Sequence, residues 1–135
     1  MTEERVQKAI VNHKGGYNCA QSVMCAFSDL VGMDEETAYH VSEGMGGGIG
    51  GMKKTCGAVM AMFLIASLKY SSGKPGEKGS RPDTNAAIQA LNDKFEAMNQ
   101  TTVCYELKGA GKGAPLRSCA GCVEDAAKLL CELFG

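Results

Sequence analysis

Six glycines fall within the eight residues Gly44–Gly51, inside the stretch "EGMGGGIGGMKKTCGAVMAM" that runs from Glu43 to Met62. So much bare backbone reads as a loop, and it leads to a single thiol, Cys56. Gly46-x-Gly48-x-x-Gly51 matches the dinucleotide-binding string. That fingerprint needs a strand before it and an acidic residue about 20 residues later in a βαβ unit. Here the preceding segment is helical, and no Walker A spacing to Gly-Lys-Ser/Thr occurs. Nucleotide binding is therefore set aside. Two readings remain. The loop is a tight connection between helices, or it is a cradle. In a cradle, amides of Gly46, Gly47, Gly48, Gly50 and Gly51 would approach a bound group and stabilise a thiolate or sulfide.

The sulfur content favours the cradle. There are seven cysteines, Cys19, Cys25, Cys56, Cys104, Cys119, Cys122 and Cys131, beside eight methionines. The number is odd and no export signal is visible. A disulfide framework is not expected, and reduced thiols in such numbers point to metal binding or redox chemistry. Three of them fall at expected helix starts: Cys19, Cys56 behind Thr55, and Cys119 behind Ser118. Free N–H groups and the positive end of the helix dipole lower a thiol pKa there. Cys104 lies in a short irregular segment between two loops, a common ligand position. Cys119-x-x-Cys122 is the spacing of dithiol oxidoreductases and also half of a tetrahedral zinc or iron–sulfur site. The chain lacks the βαβ context of the first and the second Cys-x-x-Cys of a zinc ribbon. Cys25 and Cys131 read as core thiols. His13 and His40 have no ligand-spaced partners, and Lys53 and Lys54 read as solvated surface.

Helical periodicity dominates the rest. Thr2–Lys14 carries Val6, Ala9, Ile10 and His13 on one stripe. Gly15-Gly16 stops it. Asn18 with Gln21 forms a capping box for a helix over Cys19–Val31, and Gly32 ends that helix. Asp34 caps the next. Thr55 caps a buried helix from about Cys56 to Lys69. Asp83 or Thr84 opens a helix to about Asn99 with Ala87, Leu91, Phe95 and Met98 inward. Ser118 caps the last, with Cys122, Ala126, Leu129, Leu130 and Leu133 inward. "YSSGKPGEKGSRPD" and "KGAGKGAPLRS" are flexible loops. No β alternation appears. The expectation is an all-α, compact single-domain bundle over residues 1–135, with about five or six helices, a glycine-rich loop and two flexible loops.

Composition narrows function further. The formal net charge is −1, which gives no nucleic-acid surface. The longest apolar run, Gly57 to Leu68, is shorter than the ~20 residues of a membrane span. The acidic, amphipathic start lacks a basic n-region, so a cytoplasmic chain is expected. Exposed Met and Leu positions leave room for a homodimer.

"NCAQSVMCAF", "GMGGGIGGMKKTCGAVMAM", Cys104 with "YEL", and "CAGCVEDAAKLL" together resemble the redox-active family named for the pattern C_GCAxxG_C_C. The resemblance covers nearly the whole chain. The family's four cysteines fall on Cys19, Cys56, Cys104 and Cys119. Ala61 stands where the family's block usually ends in glycine, and Cys122 adds a thiol where an apolar residue is usual. Members are often encoded near oxidoreductase and transporter genes in anaerobic bacteria. A similar cysteine domain in split-Soret cytochromes is associated with an iron–sulfur cluster. The resemblance thus implies a cluster of unspecified type on Cys19, Cys56, Cys104 and Cys119, with a redox partner protein or oxidoreductase, and a cofactor easily lost in air. No Cys-x-x-Cys-His is present for covalent haem. The alternatives are a thiol–disulfide protein using Cys119 and Cys122, or zinc on the same four thiolates as a structural module. A closed four-thiolate site has no open coordination position, so either metal reading implies binding or transfer rather than turnover.

Overall fold

Burial is continuous from Ala20 to Phe27, so this stretch is the hub of the fold. A helix apolar on every side can only sit inside a bundle. The computed structural model describes residues 2–135 and is all-α, with seven α-helices and no strand among the described residues. They are α1 (Thr2–Lys14), α2 (Cys19–Phe27), α3 (Glu35–Ser42), α4 (Gly57–Tyr70), α5 (Arg81–Asn99), α6 (Cys104–Leu107) and α7 (Cys119–Phe134). Short 3-10 turns follow α2 (Ser28–Val31) and α3 (Glu43–Met45). Helix α6 is a single turn, within the short segment "TTVCYEL". Among the described residues no helix is long and apolar enough to cross a membrane.

Helix α2 packs on α1, α3, α4 and α7, while α5 closes the bundle against α4 and α7. Helix α4 is apolar nearly all round and buries Val59, Met62, Ile65 and Ala66. Phe27 and Phe95 are fully buried. Phe27 stacks on Phe134 at 6.4 Å between ring centroids. The start of the chain is pinned to α2's C-terminal end. Arg5 donates to the Ala26 carbonyl (2.9 Å) and to both carboxylate oxygens of Asp29 (2.7 and 2.9 Å).

The helix boundaries follow their caps. Asn18 accepts from the Gln21 amide (2.9 Å) and the Gln21 side chain accepts from the Asn18 amide (3.0 Å), the expected capping box. Gly32 ends the segment at φ +74°. Three expectations are corrected. Residue Cys56, not Thr55, caps α4, because Thr55 is held in an antiparallel bridge with Val103. Helix α5 begins at Arg81, ahead of Asp83, because Pro82 is already set for a first helical turn. Met98 faces solvent, and Asn99 is buried in its place. Asn99 turns inward because its Nδ2 donates to the buried carboxylate of Asp125 (3.1 Å).

That register is testable. Phe95→Ala should cost about 3–5 kcal/mol in urea unfolding. Met98→Ala should change stability by no more than about 0.5 kcal/mol.

Candidate functional site

The beginnings of α2, α4, α6 and α7 meet at one cavity of about 40 Å³, and five thiols line it: Cys19, Cys56, Cys104, Cys119 and Cys122. The remaining wall is Gly47, Gly48, Gly57, Leu107, Lys108 and Arg117. Each thiol arrives by a separate local device. Asn18 places Cys19 by capping α2, and its Nδ2 also donates to the Glu43 carbonyl (3.0 Å) at the edge of the glycine loop. Cys56 caps α4, and its amide donates to the Thr102 carbonyl (2.8 Å). Cys104 opens α6, which is tied to the loop by its own amide donating to the Lys54 carbonyl and by Tyr105 N–H to the Lys53 carbonyl (3.0 Å). Ser118 Oγ accepts from the Gly121 amide (2.9 Å) and starts α7 at Cys119. The Leu116 amide donates to the Leu107 carbonyl (2.8 Å), which draws the start of α7 back against α6.

The glycine loop is a left-handed run. Gly47, Gly48, Ile49, Gly50 and Gly51 all have φ between +59° and +73°. Only glycine adopts that region without strain, so a run of it needs glycine at most positions. Gly48 is the tightest of them. A Cβ there would lie 2.6 Å from Lys53 Cα and 2.7 Å from Cys104 Cβ. The loop largely satisfies itself, with Gly50 N–H donating to the Gly44 carbonyl (2.7 Å) and Gly51 N–H to the Gly46 carbonyl (3.1 Å). The amide of Gly46 turns back to the Glu43 carbonyl (3.5 Å). Amides of Gly46, Gly50 and Gly51 thus donate within the loop. Gly47 and Gly48 do reach the cavity wall, and among the described residues their amides donate to no backbone acceptor.

The thiols are not equivalent. The Cys122 thiol hydrogen-bonds Cys56 and pulls its pKa down to about 7, against burial and with help from the Val59 and Ala58 amides. The same bond and burial push Cys122 up. Burial raises Cys19 first, and the neighbouring Cys119 and Cys56 add to it. Burial raises Cys104 against the opposing charge of Lys108. Lys108 is held above its usual range by a hydrogen bond to Cys119. The hydrogen-bonded thiol pairs are thus Cys56 with Cys122 and Cys19 with Cys119, across elements rather than along the Cys-x-x-Cys turn.

Sequence reasoning missed three neighbours. Lys108 sat unnoticed in a loop. His13 lies with Nε2 3.8 Å from Cys19 Sγ, because Gly15-Gly16 folds the end of α1 back beside the start of α2. Arg117 is held by Asp125, Nε to Oδ2 at 3.0 Å and Nη2 to Oδ1 at 3.1 Å, and this contact explains Gly121. Any Cβ at Gly121 would run into the Arg117 side chain. A buried Asp seven residues beyond a helix cap is the one signal that could have shown this anchor. Cys25 and Cys131 are buried away from the cavity, and burial pushes the Cys25 thiol up to about 11. His40, Lys53 and Lys54 are exposed.

A chain whose helix starts gather five thiols on one cavity falls in the class of cysteine-based redox proteins. This chain belongs to the family described as "Putative redox-active protein (C_GCAxxG_C_C)", whose profile matches residues 17–133. No curated protein and no solved structure matches the chain.

Two tests follow from the geometry. In reduced, metal-free protein, alkylation of Cys56 should set in near pH 7, ahead of Cys25, read by mass spectrometry of the modified peptides. Cys122→Ala removes the largest cause of the lowered pKa and should move that onset to higher pH. Gly48→Val should cost roughly 1–3 kcal/mol from backbone strain alone, measured by urea unfolding.

Proposed function

We propose that this chain is an electron-transfer or redox-sensing protein that holds an iron–sulfur cluster on Cys19, Cys56, Cys104 and Cys119. The observation that carries this reading is the convergence of those four cysteines, from four separate elements, on one cavity. The donor set suits the group: the lining holds thiols and no carboxylate or imidazole, and soft thiolates are what iron–sulfur clusters take. Gly47 and Gly48 offer unclaimed amides, which would donate to sulfur and tune the potential. Lys108 adds positive charge beside Cys119. When bound, the cluster would supply one-electron exchange.

The present size of the cavity bears on the fit. About 40 Å³ is room for a water molecule or two, not for a cluster. Two of its walls are loop, Gly47–Gly48 and the stretch from Lys108 to Arg117. Among the described residues no three His, Cys, Asp or Glu side chains form a group that could hold a metal ion.

A second reading rests on the hydrogen bond between Cys56 and Cys122. A lowered thiol beside a second thiol is the arrangement of a dithiol redox pair. In it, Cys56 would attack and Cys122 resolve, in place of the Cys119/Cys122 pair suggested by spacing.

Protein purified without oxygen separates these. Visible absorption with iron, acid-labile sulfide and zinc analysis should find iron and sulfide. Cys104→Ser should remove most of the iron, and Cys122→Ser should leave it in place. A colourless, metal-free protein whose thiol reactivity is lost in Cys122→Ser would favour the dithiol. Zinc at one per chain would make the site structural.

A further inference from the structure

An electron exchanged with a partner protein must cross a wall of the cavity, because electronic coupling falls off exponentially with distance through protein. Most of the cavity's lining comes from residues 44–57 and 101–119, joined by the Thr55–Val103 bridge and by the bonds from Cys104 and Tyr105 to the Lys54 and Lys53 carbonyls. These two segments carry Lys53, Lys54, Lys108, Lys112 and Arg117 against one acidic residue, Glu106, for a net of +4. The whole chain carries −1, so the rest of the molecule carries −5. The charge is sorted by position, not scattered. Arg117 spends its charge on Asp125, whereas Lys53, Lys54 and Lys112 are exposed and enter no ion pair among the described residues. Set among them are three large apolar side chains facing solvent, Met52 (58% exposed), Tyr105 (50%) and Leu116 (46%). Tyr105 is held in place there, its hydroxyl donating to the Ala110 carbonyl (3.0 Å).

We propose that this basic, apolar-centred face is the docking surface for a protein electron carrier that bears an acidic patch around its own redox centre. The proposal rests on the electron-transfer reading above. Opposite charge would steer such a partner to this side and orient it over the cavity, while the apolar side chains give the contact its short-range attraction. Redox encounters of this kind are small, transient and salt-sensitive. The features fit a nucleic acid poorly, since exposed apolar side chains sit among the lysines and the chain as a whole is acidic. They fit a lipid surface poorly too, since the face is made of loops and a single helical turn rather than a long amphipathic helix.

The test uses the full-length chain, labelled with nitrogen-15 and kept reduced, titrated with flavodoxin as an acidic one-electron carrier. Amide shifts should change within 44–57 and 101–119, and raising salt from about 0.02 to 0.15 M should weaken binding roughly tenfold or more. Lys54→Glu with Lys112→Glu should weaken it roughly tenfold at low salt, since exposed charges steer association. Lys74→Glu with Lys78→Glu should change it less than about twofold, because these lie beyond the C-terminal end of α4, about 20 Å from the cavity. Shifts elsewhere, no binding, no salt dependence, or equal effects of both charge reversals would overturn the proposal. So would tighter binding of basic cytochrome c, of DNA or of anionic vesicles. The shifts are read without any cluster. A chain that binds flavodoxin on this face but takes up no iron therefore fails the cluster reading and leaves the docking surface standing.

Discussion

Three helices, α2, α4 and α7, begin at one place, and their first amides have no partner within their own helices. Converging the positive ends of three helix dipoles on a small cavity is unfavourable unless negative charge or strong acceptors sit among them. Side-chain oxygens meet that need at two of the three starts, Asn18 Oδ1 accepting from the Gln21 amide and Ser118 Oγ from the Gly121 amide, while at the third the Ala58 and Val59 amides draw the Cys56 thiol toward thiolate.

The second constraint is how the chain gets from α3 to α4. Cys56 must reach the cavity from Ser42 while leaving room for Cys104, and the connection must turn sharply without using the cavity's space. A left-handed run does this, because each residue from Gly47 to Gly51 reverses the usual sense of backbone coiling. Ile49 accepts the same conformation without being glycine, and the hydrogen bonds around it hold it there. The loop then serves α6 as well. Carbonyls of Lys53 and Lys54 hold the first amides of that single turn, which is too short to be stable alone. Bare backbone is thus used for close approach, at Gly48 to Cys104 above all, more than for donating amides.

Much of this was legible in the sequence where the cause is local. The capping box at Asn18, the cap at Ser118, the stop at Gly32 and the inward stripe of α7 each depend on residues within one or two turns. What was not legible depends on contacts between distant segments. Thr55 looks like the cap of α4 until Val103, far along the chain, claims it for a bridge. Met98 fits an apolar stripe, yet Asn99 goes inward because Asp125 waits in another helix. His13 and Lys108 carry no motif, and only the folded chain sets them beside Cys19 and Cys119. The family resemblance supplied what periodicity could not, namely that cysteines 37, 48 and 15 residues apart belong to one site.

The extra thiol shows how a position can belong to core and site at once. Cys122 occupies the inward stripe of α7 beside Val123, Ala126 and Leu130, where an apolar residue would pack as well. Its thiol nevertheless hydrogen-bonds Cys56, and the bond moves the two groups in opposite directions, one toward thiolate and one toward thiol. Under the proposed cluster, a protonated Cys122 would be a donor to the Cys56 sulfur rather than a fifth ligand. Such outer donors raise the potential of a bound thiolate centre, because they stabilise the electron-rich, reduced form more than the oxidised one. On the cluster reading, removing that donor while keeping Cys19, Cys56, Cys104 and Cys119 would shift the potential and leave the ligand set unchanged.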